Sequence, residues 1–494
     1  MLSFILNNDT IHTDMPPGMT LLDFVRYHKH LTGTKIGCRE GDCGACTILV
    51  GDHCDDKVNY RSMTSCLMPL SNADGKHIVT IEGINPSSGQ LTPVQQAMVE
   101  ENGTQCGFCT VGFVVSLTGF CLNNNNPSQE AAIASIDGNI CRCTGYKSIE
   151  RASARLINLL NTNQNSASLA FAIEHKIVPS WFADIKDRLA EINASTSERK
   201  SIEPIKKYTI VSGGTDLYVQ RPEDMVHSVT LNMFNRNSLK EIIEVDGRIE
   251  IGAEATVTDM LESPVMNEIF PHLKKHLKLL SSTPIRNMAT IAGNLVNASP
   301  IGDMTIWFLA LDATVVVRNE IQDAELPLRV RTGRDLSVLS KATQPSGNSR
   351  EIQLRDFYEG YKKLAKSADE IVEKIYFKKP DHCCRFNFEK VSKRTFLDIA
   401  TVNTAMFLRV EDELIVEAHI SAGGVGPIPL YLKNTSSCLL FKLFPFDEET
   451  MRELIFILES EISPISDVRG SADYKRLLMK QLFLAHFTEL FPAS

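Results

Sequence analysis

Ten of the thirteen cysteines lie within the first 143 of 494 residues, at Cys38, Cys43, Cys46, Cys54, Cys66, Cys106, Cys109, Cys121, Cys141 and Cys143. Cys383, Cys384 and Cys438 are scattered later and read as plain buried thiols. Crowded thiols serve disulfides or metals, and compartment decides between them. The opening residues Met1 to Asp9 have a three-residue apolar run, no basic leader and an early acid, which is not a secretion signal. A cytoplasmic setting is expected, and metal ligation is then the expected use of the cysteines.

The length exceeds what one core supports, so two to four domains are expected. With 43% apolar and 22% charged residues the composition is that of a soluble globular protein. No uninterrupted apolar run reaches membrane-spanning length, so no membrane partner is expected. A formal charge of −9 without clustered cations argues against a nucleic-acid partner.

Short strand-like runs, Ser3 to Leu6 and Thr47 to Val50, flank a possible helix from Leu21 to His28. This predicts a small α+β domain ending near residue 80. From Pro93 to about Leu160 the pattern turns helical, with Thr92 as N-cap, Pro93 at the first helical position and an apolar run from Val111 to Leu122. The Asn and Ser cluster at 161–168 opens an expected linker, 161–205, containing one helix around Trp181 to Leu189. Alternating β-rich and helical stretches follow.

Cys38, Cys43 and Cys46 are spaced C-x4-C-x2-C, the plant-type 2Fe-2S spacing, with a fourth cysteine expected farther on. The glycines between them allow the tight turns that aim backbone N–H groups at sulfur. Cys54 and Cys66 compete for the fourth place. Cys54 sits in an acidic turn, whereas Cys66 enters an apolar stretch, which favours Cys66. A four-cysteine zinc site is the alternative, but structural zinc usually pairs its cysteines in two short knuckles.

A second set joins Cys106-Gly107-Phe108-Cys109 to Cys141-Arg142-Cys143, flanked by Gly138 and Gly145. Cysteines at i and i+3 share a helical face, and two thiols one residue apart can meet one metal on a turn. Zinc remains open for this set when it is taken alone.

Ile210-Val211-Ser212-Gly213-Gly214-Thr215-Asp216-Leu217 reads as a strand entering a glycine turn, whose N–H groups can form a concavity for phosphate. An ordinary connection has the same look. No G-x-G-x-x-G fingerprint is present, so a Rossmann site is not indicated. A second glycine-bearing polar stretch runs from Arg286 to Asp303.

Gln105-Cys106-Gly107-Phe108-Cys109 with Gly138-Asn139-Ile140-Cys141-Arg142-Cys143-Thr144-Gly145-Tyr146 resembles the four-helix iron-sulfur domain of the molybdenum hydroxylases, the xanthine dehydrogenase and aldehyde oxidase family. The first cysteine set resembles that family's ferredoxin-like domain. Val111 and Ile140 depart from a usual proline and leucine, and neither is a ligand position. Both glycine stretches resemble the family's FAD domain, and Ser466 to Arg476 its C-terminal flavin domain.

The resemblance implies an α+β multidomain fold. A β-grasp ferredoxin-like domain would span 1–82 and a four-helix iron-sulfur domain 83–160. After the linker, a vanillyl-alcohol-oxidase-type FAD domain would span 206–380 and an α/β C-terminal domain 381–494. Cys38, Cys43, Cys46 and Cys66 would hold one 2Fe-2S cluster, and Cys106, Cys109, Cys141 and Cys143 the other. Ile210 to Leu217, Thr290, Gly293, Asn294 and Asp303 would contact FAD, with Leu280 and Val372 lining the ring and Lys390 approaching it. For Lys390 a solvated surface cation is the alternative reading.

The resemblance further implies an electron-transfer subunit in a hetero-oligomer. A partner chain with molybdopterin would oxidise the substrate, and electrons would run through the clusters to FAD and NAD. Domain order favours the bacterial xanthine dehydrogenase arrangement. Aldehydes or other N-heterocycles are alternative substrates, oxygen an alternative acceptor, and a zinc-stapled interaction protein the rival of a different class.

Overall fold

Leu2–Leu6 pairs antiparallel with Asp9–Thr13 across a tight turn and parallel with His77–Val79. Calling these strands β1, β2 and β5, with β3 Thr47–Cys54 and β4 Lys57–Thr64, the first sheet has the order β2-β1-β5-β3-β4. The computed structural model describes residues 1–54, 57–86, 89–123, 126–163, 168–196, 208–319, 349–394 and 397–492. Phe4 and Leu6 point into a core with Leu21, Phe24, Ile48 and Ile78, while Ile5, on the opposite face, packs on Ile185, Leu189 and Ile192. The expected helix 21–28 begins as an α-turn capped by Thr20 and continues as a π-helical turn, Phe24–His28.

Thr110–Asn123 is apolar all round, and every residue from Gly112 to Leu122 is buried, as expected of a helix enclosed by others. It packs on β3 and β4 and against Pro93–Glu100, Gln129–Ser135, Lys147–Leu160 and Ser168–Glu174. Thr92 and Gln95 form a capping box around Pro93, the start signal that the sequence carries.

The expected linker is more structured than its composition suggests. Ser168–Glu174, a 3-10 turn Ser180–Asp184 and Ile185–Thr196 are helical; 164–167 and 197–205 lie outside the described residues. Ile185, Leu189 and Ile192 recur at i, i+4 and i+7, a stripe that must cover something, and it covers β1. Arg188 donates to Asn8 Oδ1 and Asn8 O, each at 2.9 Å.

The third part pairs Thr209–Val211 and Thr230–Asn232 in parallel and builds an antiparallel five-stranded sheet. Its strand order is Ser349–Gln353, Thr314–Asn319, Glu370–Lys378, Arg248–Gly252, Ile242–Val245. Helices pack on this sheet around Trp307, Phe308 and Phe377. The fourth part is an antiparallel sheet of Cys384–Val391, Val402–Glu411, Leu414–Gly423 and Leu430–Tyr431, covered by Glu448–Glu461 and Ala472–Leu490. Among the described residues no helix is long and apolar enough to cross a membrane.

Candidate cluster loops and flavin cleft

The loop from Cys38 to Cys46 turns through three left-handed residues, Arg39 at φ 60°, Gly41 at φ 82° and Gly44 at φ 69°. These turns aim backbone N–H groups at sulfur: Cys38 N lies 3.4 Å from Cys43 Sγ, and Glu40 N 3.3 Å from Cys38 Sγ. Cys46 and Cys66, both buried, are hydrogen-bonded to each other. The Cys43 thiol's hydrogen bond pulls Cys38 down to about 5, helped by the Glu40 N–H, and Cys43 is pushed up in return.

Cys66 follows Thr64, which pairs with Thr47 at the loop end of the β3/β4 hairpin. Cys54 pairs with Lys57 at the other end. Seven residue steps of strand run from Thr47 to Cys54, about 23 Å at 3.3 Å per residue. Cys66→Ser should therefore remove one reduced-cluster signal in electron paramagnetic resonance, and Cys54→Ser should leave both. The reverse pattern would transfer the fourth ligand to Cys54.

In the second set Cys106 and Cys143 place their sulfurs 3.7 Å apart, and Cys109 is hydrogen-bonded to Cys141. Thr144 donates to Cys141 Sγ through its N–H at 3.4 Å and its hydroxyl at 3.1 Å. Gly107, Gly145 and Tyr146 take positive φ, and Tyr146 returns its hydroxyl to accept from Cys141 N at 3.1 Å. Cys106 and Cys143 are exposed. Thr144 and Tyr146 went unassigned in the sequence, where only the cysteines carry a metal signal.

The two loops touch. Ile140 N donates to Cys43 O at 3.0 Å, and Asn139 Nδ2 to Gly44 O at 3.2 Å. Asp137 pairs with Arg286 of the third part at 2.7 Å, with Arg286 almost wholly buried.

Ile210 and Val211 end the strand that enters the turn Ser212 to Asp216, and Leu217 begins a short helix. Gly213 has no room for a side chain, since a Cβ there would lie 1.8 Å from Met288 O. Gly214, at φ 85°, faces Leu67 O, which a Cβ would approach to 2.7 Å. The first glycine loop thus packs against the second stretch and against the residue following Cys66. Thr290 caps Ile291–Val296 by accepting from Gly293 N at 3.2 Å, and Asn294 Oδ1 accepts from Thr305 N at 3.1 Å.

Asp303 opens the next helix, with Oδ2 2.7 Å from Lys390 Nζ and Oδ1 accepting from Asn403 Nδ2 at 2.6 Å. Lys390 Nζ also donates to Leu279 O, beside Leu280. Its side chain is 1% exposed, which excludes the solvated-cation reading. Leu280 and Val372 are buried in the core of the third part. Ser466 to Arg476 closes a turn in which buried Lys475 pairs with Asp467 at 2.7 Å, while Lys393 donates to Val468 O.

Both donor sets suit the groups expected of them. Each cysteine set joins converging sulfurs to backbone N–H donors, as thiolate-bound clusters need. Asp303, Lys390, the loop N–H groups and the buried Asn403 Oδ1, which has no hydrogen-bond partner among the described residues, offer a phosphate and polyol the contacts they require.

Family models match in the same order along the chain. A 2Fe-2S iron-sulfur cluster binding domain matches 4–71, a second 2Fe-2S binding domain 80–154, an FAD binding domain in molybdopterin dehydrogenase 190–330, and a CO dehydrogenase flavoprotein C-terminal domain 388–490. The chain belongs to the molybdenum hydroxylase family. It carries that family's iron-sulfur and flavin electron-transfer domains, in the expected multidomain α+β fold.

Xanthine dehydrogenase of Emericella nidulans is 27% identical over 558 residues, covering 99% of this chain and 38% of that protein. Xanthine dehydrogenase 1 of Arabidopsis thaliana is 26% identical over 95% of this chain and 38% of its own length. Aldehyde oxidase 2 of Mus musculus is 24% identical over 99% and 39%. The chain thus spans about two fifths of these relatives. A carbon monoxide dehydrogenase structure from Hydrogenophaga pseudoflava shares the fold over 58% of this chain and 90% of its own, with TM-score 0.50 and 20% identity.

Proposed function

We propose that this chain is the electron-transfer subunit of a xanthine dehydrogenase, working with a molybdopterin-containing partner in the cytoplasm as a hetero-oligomer. Bound 2Fe-2S clusters pass single electrons, and bound flavin joins that traffic to hydride exchange with NAD. Cys106, Cys109, Cys141 and Cys143 would hold the cluster facing the partner, since two of these thiols are exposed. Cys38, Cys43, Cys46 and Cys66 would hold the inner one, and Ile210 to Leu217, Thr290, Gly293, Asn294 and Asp303 the flavin, with Lys390 near its ring.

One observation carries the reading: the two cysteine loops and the glycine loop touch one another in series. Ile140 N meets Cys43 O between the cysteine loops, and Gly214 lies against Leu67 O between the inner loop and the flavin loop. Electrons entering at the Cys106 side would cross a short stretch of backbone at each junction. The relatives named xanthine dehydrogenase support a purine substrate. The similar coverage by aldehyde oxidase 2 gives a second reading, an aldehyde-oxidising partner.

The isolated chain should carry iron, acid-labile sulfide and flavin in the ratio 4:4:1, and should pass electrons from NADH to a dye without oxidising xanthine. Zinc in place of iron in anaerobically prepared protein would refute the cluster assignment. Xanthine turnover by this chain alone would refute the division of labour.

A further inference from the structure

Ser212, first residue of the glycine loop, donates its hydroxyl to Glu254 Oε1 at 2.6 Å. Glu254 is 2% exposed, just beyond the strand Arg248–Gly252, and its backbone N–H is taken by Leu239 O. Its second oxygen, Oε2, has no hydrogen-bond partner, and among the described residues no cation lies within ion-pair distance. A buried carboxylate with one hydroxyl for company is costly, whereas a neutral acid is tolerated there.

The charges that reach Glu254 are Lys240 and Arg236, from the segment after Thr230–Asn232, and both act at longer range. Lys240 is shared with Asp52 at 3.7 Å, and Asp52 is held at 2.7 Å by Lys76. Burial dominates these weak attractions and pushes the Glu254 carboxyl up to about 7. The rest of the loop's anchorage is neutral: Asn72 donates to Ser212 O at 2.9 Å, and Asn232 to Asn72 Oδ1 at 2.7 Å.

We propose that Glu254 is a positioning residue that acts as a neutral acid, fixing Ser212 and with it the phosphate-binding shape of the glycine loop. The proposal rests on the reading of Ser212 to Asp216 as the loop that takes the FAD pyrophosphate. Ionised, Glu254 would place a negative charge one side chain away from an anionic ligand. FAD binding therefore favours the protonated form. The sign follows directly. A carboxyl raised above its usual range is protonated at low pH, so FAD affinity is full below the raised pKa and declines as pH climbs through and beyond it. For one proton lost, the limit is tenfold per pH unit.

The test titrates FAD into the full chain, stripped of flavin with both clusters kept, between pH 6 and 9. Wild type should weaken toward tenfold per unit above neutrality. Glu254→Gln, neutral at every pH, should hold a flat profile, and Glu254→Ala should also be flat but bind more weakly than wild type at pH 6, because Ser212 loses its anchor. Unchanged circular dichroism and denaturant unfolding in all three report an intact fold, and unchanged cluster absorbance intact clusters. A Glu254→Gln profile that follows wild type, or a Glu254→Ala affinity equal to wild type at pH 6, would overturn the role. Ser212→Trp separates the two readings. If FAD stays tight with the loop filled, the loop is not the phosphate site and the proposal falls with it. If FAD is lost there while Glu254→Gln keeps the wild-type slope, the role of Glu254 alone is refuted.

Discussion

Asp303→Ala should empty the flavin site while both clusters stay in place. The carboxylate holds Lys390 Nζ at 2.7 Å and Asn403 Nδ2 at 2.6 Å, so its removal strands an ammonium that is 1% exposed. Breaking one side of a buried pair typically costs about 3–5 kcal/mol, because the remaining charge has lost its solvent and its partner. The lesion falls between the third and fourth parts, since Asp303 opens a helix of one and Lys390 sits in a strand of the other. A double substitution, Asp303→Ala with Lys390→Met, removes both charges and should recover most of the stability in denaturant unfolding. Flavin should remain lost in the double variant if Asp303 itself contacts the cofactor. Full flavin retention in Asp303→Ala, assayed against iron content, would show that the acid serves the domain junction alone.

The sequence marked the cysteine loops more readily than their surroundings. Cysteine spacing is a covalent property of the chain, and it survives unchanged into the folded loops around Cys38 to Cys46 and Cys106 to Cys109. The helix start at Thr92-Pro93 was equally legible, because a cap and a proline act locally. The helix Ile185–Thr196 was only half visible. Its Asn- and Ser-rich approach suggests a linker, yet three isoleucine and leucine positions at helical spacing mark a face that packs on Ile5, 180 residues away. Lys390 shows the same limit from the other side. Nothing within Lys390-Val391-Ser392-Lys393-Arg394 separates a buried cation from a solvated one, because its partner lies 87 residues back. The glycine loop was ambiguous for a related reason: Gly213 and Gly214 are required by Met288 and Leu67, neighbours brought by tertiary structure alone.

Gly44→Ala should slow electron passage between the two cluster loops without emptying either. Gly44 has φ 69°, so any side chain costs about 1–2 kcal/mol in backbone strain. The larger effect is steric. A Cβ there would sit 2.3 Å from Gly138 O and 2.4 Å from Asn139 Nδ2, far inside contact distance, with backbone on one side of the clash. The least costly response is to move the 138–141 segment away, which stretches the Ile140 N to Cys43 O hydrogen bond joining the loops. Gly145→Ala is the matched control. Gly145 has φ 65° and nothing within 4 Å of its would-be Cβ, so it carries the strain without the wedge. Iron content and each cluster's separate signal should match wild type in both variants. The magnetic interaction between the two reduced clusters, and the rate at which flavin is reduced from the partner side of the reconstituted enzyme, should fall in Gly44→Ala only. Equal rates in the two variants would mean that the backbone contact at Cys43 and Ile140 does not set the coupling.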